Sequence, residues 1–536
     1  MSCTPVADVL GLWQIVAETN GYLIVRQDKS LLIDCPSSLL DMELAAENLP
    51  APSLIIHTQV QEEHCREWGA FPETAVAVSA EAVDIATRSP RFFAECQTVW
   101  PPSRAWETRG AEKYGFAGCP TERPPLHPLA VRTELHPGDV LPWAEGVTLE
   151  VLALPGSGKR SLGFYWQEAD ILFSGDLLVS GGHLANLYDC EREYGLGSGM
   201  CEVECSLETI RQLQPRLLLP TLGPLITDPD TACRQLLERL SRVRQYPARW
   251  ADAAPAMTNY QPRRILGRYR EVMPGIVQSA NGGNIILFID ERGRGCIIDP
   301  DPCIWLSWEE SCREVHADFD MFERELGLRT VEYALITHYH GDHVQFCDLL
   351  RARYGTRVAA TPDVAAVMER PEDYRYPSAL DWYGFPFTRI SVDTRLSYTE
   401  PLCWHDIMIT PLHTPGHCWA HTGFLVPWQG LRTVCTGDTL QYGAGPYRAT
   451  LPVLYSDTAY PLRGIDVTLR RLAQLQPDLV LGGHSASFFD RDGAIIGELL
   501  AAEEAFSPLV MALAAEGTIK RAMTPPGYNA KRPFSK

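Results

Sequence analysis

Short apolar runs, bounded by polar or glycine-rich text, recur along the chain and have the length of buried strands. Within Trp13 to Asp34, L-I-V-R-Q-D-K-S-L-L-I-D predicts two strands about a polar turn at Asp28 to Ser30. S-L-I-I-H-T (Ser53 to Thr58), N-I-I-L-F-I-D (Asn284 to Asp290) and G-C-I-I-D-P (Gly295 to Pro300) predict more. So do V-E-Y-A-L-I (Val331 to Ile336) and I-M-I-T-P-L (Ile407 to Leu412). By contrast, Val467 to Leu475 and Ala494 to Phe506 space their apolar residues near every 3.6 positions, which predicts helices. Strands alternating with helices indicate an α/β protein.

The run Val331 to Ile336 stops at T-H-Y-H-G-D-H, Thr337 to His343. Four of these seven residues are metal-ligand types: His338, His340, Asp342 and His343. The two-residue period of an extended chain aims His338 and His340 the same way, and leaves Asp342 and His343 to face a second ion. Three more candidates end apolar runs: His417 in H-T-P-G-H, Asp438 in T-G-D and His484 after L-V-L-G-G. Such strand ends are where α/β scaffolds expose functional side chains.

The same text occurs twice. T-Q-V-Q-E-E-H (Thr58 to His64) lies over Thr337 to His343, and Leu154 to Phe164 over Thr414 to Phe424. F-S-G-D-L-L (Phe173 to Leu178) lies over C-T-G-D-T-L (Cys435 to Leu440), and Leu213 to Gly223 over Leu475 to Ser485. The spacing is conserved as well: 46 residues separate Asp176 from Leu222, and 46 separate Asp438 from His484. This internal duplication predicts a first domain over 1–245, a proline-bearing linker over 246–263 and a second domain over 264–536.

Composition narrows the partners. With 47 Lys and Arg against 67 Asp and Glu, the formal charge of −20 argues against nucleic acid or an anionic membrane. No apolar run approaches the ~18 residues of a membrane span, and the N-terminal text lacks a basic signal region. The 16 cysteines form no C-x-x-C pair, which together predicts a cytoplasmic protein with free thiols. The expected partner is a small-molecule substrate, and the reading leaves room for a homodimer.

The pattern H-x-H-x-D-H, then P-G-H, T-G-D and G-H, resembles the metallo-β-lactamase superfamily, in the branch of glyoxalase II and the quorum-sensing lactonases. The resemblance implies two tandem αβ/βα metallo-β-lactamase-like sandwiches, the N-terminal copy degenerate. It also implies two divalent metal ions, zinc first, with iron or manganese as other candidates. By position, His338, His340 and His417 would hold one ion, Asp342, His343 and His484 the other, and Asp438 would bridge them. Asp342 and Asp438 would be the catalytic carboxylates. His421 repeats a glyoxalase II feature and is either a brace for the ligands or a packing residue. Phe346, Trp404, Tyr442 and Tyr447 are candidate pocket walls. Val344-Gln345-Phe346 replaces a common A-G-G, and Tyr442 to Arg448 replaces the glyoxalase G-C-G-R region, so a glutathione thioester is disfavoured.

In the first copy the ligand positions read Gln59, Gln61, Glu63, His64, Ser157, Asp176 and Leu222. Neutral amides bind zinc or iron poorly, so this half reads as a pseudo-enzyme domain without metal. G-S-G-K-R-S (Gly156 to Ser161) mimics a phosphate loop, but Ala153 stands where its first glycine belongs. The expected activity is dinuclear metallohydrolysis of a small ester, lactone or thioester. A di-iron oxygenase, a phosphodiesterase and a non-catalytic binding protein are the alternatives.

Overall fold

A computed structural model describes residues 1–87, 125, 127–158, 160–184, 198–245, 259–280, 282–304, 306, 308–370, 389–418, 420–440, 464–484 and 487–513. These fall into two compact units: one takes the described residues up to Gln245 together with 509–513, the other those from 259 to Pro508. The division falls inside the helix Ala494–Met511. Leu184 N–H donates to Leu513 O at 2.7 Å, which ties that short C-terminal stretch to the first unit. No helix among the described residues is long and apolar enough to cross a membrane.

The second unit has an eight-stranded and a six-stranded sheet among its described residues. In the larger, five strands from Arg264–Leu266 to Arg294–Ile298 pair antiparallel. Thr330–Leu335, Arg357–Ala360 and Thr394–Arg395 then join in parallel. In the smaller, Leu402–Trp404, Ile407–His413, Thr422–Trp428 and Leu431–Gly437 are antiparallel, and Leu479–Gly482 lies parallel to the last of them.

Side-chain alternation builds the layers. Ile286 and Phe288 share a core with Phe424, Val426 and Leu481 of the other sheet. Their neighbours Leu287 and Ile289 turn the other way, onto Val315, Phe319 and Phe322 of the helix Trp308–Leu326. On the far side, Val434 and Val480 pack on Leu469 and Leu472 of the helix Ile465–Leu475. Both sheets are therefore apolar on both faces, as sheets covered by helices on one side and a partner sheet on the other must be.

The first unit carries seven- and five-stranded sheets among its described residues, in the same order and sense. The duplication extends to register. Phe164 faces Phe173 as Phe424 faces Cys435, and Gly175 faces Pro220 as Gly437 faces Gly482, with a bulge at the same step in each.

Two strands end earlier than the apolar text suggests. The first-unit strand is Pro52–Ile56, and its second-unit counterpart stops at Leu335. The cause is local: Thr337 N–H goes to Asp299 Oδ1 at 2.8 Å instead of to a neighbouring strand. His338 and His340 thus lie beyond the strand, in extended chain that leads into the one-turn helix Gly341–Val344. The described end of the expected linker is also structured, since Asn259 exchanges two hydrogen bonds with Phe489 of an edge strand.

Candidate metal centre

The seven candidate ligands of the second unit converge from four loops at one edge of its paired sheets. His338, His340 and His417 each bring one ring nitrogen within 4.8 Å of the others. His343, Asp438 and His484 do the same, as do Cys303, Asp342 and His484. Asp438 stands between the sets: its Oδ2 lies 3.0 Å from His484 Nε2, 3.3 Å from His343 Nε2 and 3.7 Å from His417 Nε2.

Local backbone explains the convergence. Gly437, before Asp438, has φ +49°, and a Cβ there would meet Thr337 Oγ1 at 2.7 Å and His421 Nε2 at 2.8 Å. The turn that aims Asp438 therefore needs a glycine. His484 itself sits at φ +49°, a strained region for a non-glycine residue. Asn284 Oδ1 holds it there by accepting the His484 N–H at 2.8 Å. The Asn284 amide also donates to Asp342 O at 2.9 Å, so one side chain links three loops.

Electrostatics divide the imidazoles. Burial pushes His338 and His340 well below the usual imidazole range, and the neighbouring rings push them the same way. Burial likewise lowers His417 to about 4. These rings are neutral, which is the form that binds a metal. Burial opposes charge on His343 and His484 too, but the carboxylates led by Asp438 outweigh it and raise both. In return, Asp438 is held well below the carboxylate range: burial opposes its charge, and His484 and His343 outweigh that burial.

The residues present fit a pair of cations. His338 Nε2 and His340 Nε2 are buried without a hydrogen-bond partner among the described residues, an arrangement that costs free energy unless something else satisfies them. The surrounding donor set of imidazole, carboxylate and one thiol is that of zinc and its neighbours.

A family profile for the metallo-beta-lactamase superfamily matches residues 16–251 and 301–484. The chain belongs to the metallo-beta-lactamase superfamily. Two stretches match one family, and each unit pairs two sheets, so the fold is two tandem metallo-β-lactamase-like sandwiches. Members of the superfamily are mostly metal-dependent hydrolases that bind divalent ions, typically zinc. A comparison with curated proteins gives no match. Among solved structures, the chain is similar to a metallo-beta-lactamase of Cronobacter sakazakii with a HARLDQ motif: 19% identity over 49% of this chain and 97% of that one, TM-score 0.34. It is also similar to BJP-1, a subclass B3 metallo-beta-lactamase of Bradyrhizobium japonicum (15%, 48% and 87%, 0.30). ETHE1 of Myxococcus xanthus gives 18%, 46% and 95%, and 0.30. At these TM-scores the family assignment rests on the profile match.

His421 lies off the ligand clusters; its Nδ1 meets Thr414 Oγ1 at 2.8 Å, and its ring stacks beside His338 at 4.9 Å. Phe346 and Trp404, the candidate pocket walls, are both buried. Phe346 is fully buried and stacked on Trp308 at 5.3 Å. Trp404 is in the core between the sheets, its Nε1–H on Glu332 Oε2 at 2.9 Å. Their apolar surface is spent on packing, the commoner fate of aromatic residues. Tyr442 and Tyr447 lie outside the described residues.

Three participants escaped the sequence reading: Asp299, Asn284 and Cys303. Asp299 accepts His343 Nδ1–H at 2.9 Å and both the N–H and Oγ1–H of Thr337. A signal for it existed in the duplication, since Asp34 takes the N–H and Oγ1–H of Thr58 in the same way.

In the first unit the corresponding positions form a closed hydrogen-bonded knot. Gln59 donates to Asp176, His64 Nε2 meets Asp176 Oδ2 at 3.0 Å, and Thr221 donates to the other Asp176 oxygen. Ser157 and Leu222 supply no ligand. The Gln59 amide stands where the equivalent site brings an imidazole.

Proposed function

We propose that the second unit is a dinuclear metallohydrolase acting on a small ester, lactone or thioester. The observation that carries this reading is the pair of buried, unpartnered nitrogens His338 Nε2 and His340 Nε2 within a cluster of five imidazoles and two carboxylates. Two divalent ions, when bound, supply Lewis acidity and an activated water near neutral pH. His338, His340 and His417, kept neutral by burial, would hold one ion; Asp342, His343 and His484 would hold the second. Asp438 Oδ2 faces both groups and would bridge the two ions. Asp299 keeps the proton of His343 on Nδ1, which leaves Nε2 as the donor atom toward Asp438. Asp342 Oδ2 and Asp438 Oδ2, 3.5 and 3.0 Å from His484 Nε2, would orient an attacking water, and Asp342 would receive its proton. Zinc is the expected metal, from the nitrogen-rich donor set.

The first unit, its Asp176 engaged by Gln59, His64 and Thr221, is proposed to bind no metal and to serve as a structural partner domain. The test is metal analysis of the full chain, with turnover of an ester, lactone and thioester panel before and after chelation. The reading expects two equivalents of metal, one in His338→Ala, and chelator-sensitive turnover. A zinc-loaded protein that turns over none of the panel would sink the hydrolase assignment.

A further inference from the structure

Cys303 ends the segment D-P-D-P-C, Asp299 to Cys303, in which two prolines restrict the chain. Its Sγ lies 4.0 Å from Asp342 Oδ2 and accepts a hydrogen bond from Asn284 Nδ2 at 3.5 Å. With Asp342 and His484 it forms one of the ligand clusters of the edge, each offering one atom within 4.8 Å of the others. A second, independent feature points to a cation at this spot. Asp301, two residues earlier, is 2% exposed, and its Oδ2 has no hydrogen-bond partner among the described residues. Its Oδ1 accepts the Cys303 N–H at 2.7 Å. A buried carboxyl oxygen left open beside Asp342 and a thiol carries a cost that a bound cation would relieve.

We infer that Cys303 supplies a thiolate to the second ion of the pair, beside Asp342 and His484. The inference rests on the dinuclear reading and deepens it. The sulfur–metal bond forms as the S–H bond breaks, the proton leaves to solvent, and no electron changes hands. Sulfur alongside imidazole favours zinc or cobalt over manganese and magnesium, which prefer oxygen. The Asn284 N–H directed at Sγ stabilises the charged form of the sulfur. Cys303 therefore sets which metal the second position keeps.

The experiment loads the full-length apo protein with cobalt(II) and reads bound metal by elemental analysis beside the near-ultraviolet absorption. Two equivalents of cobalt with a thiolate-to-cobalt charge-transfer band, lost in both Cys303→Ser and Cys303→Ala, support the proposal. Two equivalents without that band, or a band that survives both substitutions, overturn the role of Cys303 and leave the dinuclear site intact. No bound cobalt overturns both. The wild-type spectrum decides by itself whether any thiolate binds, so the outcome does not depend on the folding of a variant.

Discussion

Asp299 Oδ2 and His343 Nδ1 lie 2.9 Å apart, and the same carboxylate takes the N–H and Oγ1–H of Thr337. One buried side chain thus fixes the ring that faces Asp438 and the loop that starts the histidine cluster. Asp299 also lies within 4.8 Å of a ring nitrogen of His338 and acts on the site through the groups it holds.

Replacing Asp299 by Asn should keep the fold and weaken metal retention. Loss of such a carboxylate behind a ligating histidine costs about 10- to 100-fold in affinity. Competition with a chromophoric chelator measures it. Unchanged affinity in Asp299→Asn would remove Asp299 from the site.

Gly483 offers a second handle. A Cβ built on it would meet Asp438 Oδ1 at 2.1 Å and Asn284 Oδ1 at 2.9 Å. The obstructing atoms are side-chain ends, so Gly483→Ala should fold while turning the Asp438 carboxylate. Metal affinity should fall by ~10-fold or more, because a displaced ligand loses more than a disturbed supporting residue. Unaltered binding with an intact circular-dichroism spectrum would deny Asp438 its bridging place.

Trp404 tests the opposite assignment. As a core residue stacked near Trp428 at 6.3 Å, its replacement by Ala should cost about 3–5 kcal/mol of stability. Metal stoichiometry below the unfolding midpoint should stay the same. Chemical denaturation and metal analysis on one sample separate the two effects. A stable Trp404→Ala protein with altered substrate range would return Trp404 to a pocket wall.

The candidate ligands were legible because chemistry concentrates them: three histidines and an aspartate within six residues have few other uses. The strands were legible too, since both sheets are buried on two faces and read as apolar runs. Asp299, Asn284 and Cys303 were not, because each is remote in sequence from what it touches and of a type common in turns. Only the loop closures bring Asn284 beside Asp342, 58 residues away. For Phe346 and Trp404, aromatic character marks burial and says nothing of which surface is buried.

The knot of the first unit should reveal itself through pH. Burial disfavours a charged His64, but the Asp176 carboxylate 3.0 Å away outweighs it and raises His64 from 6.5 to about 9. A group whose pKa rises on folding contributes stability that is complete below the unfolded value. That contribution is lost as pH climbs from about 6.5 through about 9. In Asp176→Asn the anion is gone and the contribution with it. The gap in unfolding midpoint between wild type and Asp176→Asn should therefore be widest at pH 6 and shrink steadily toward pH ~9.5. Thermal unfolding at pH steps across this window measures the gap. A gap that stays constant would mean that His64 is neutral throughout and that Asp176 is held by Gln59 and Thr221 alone.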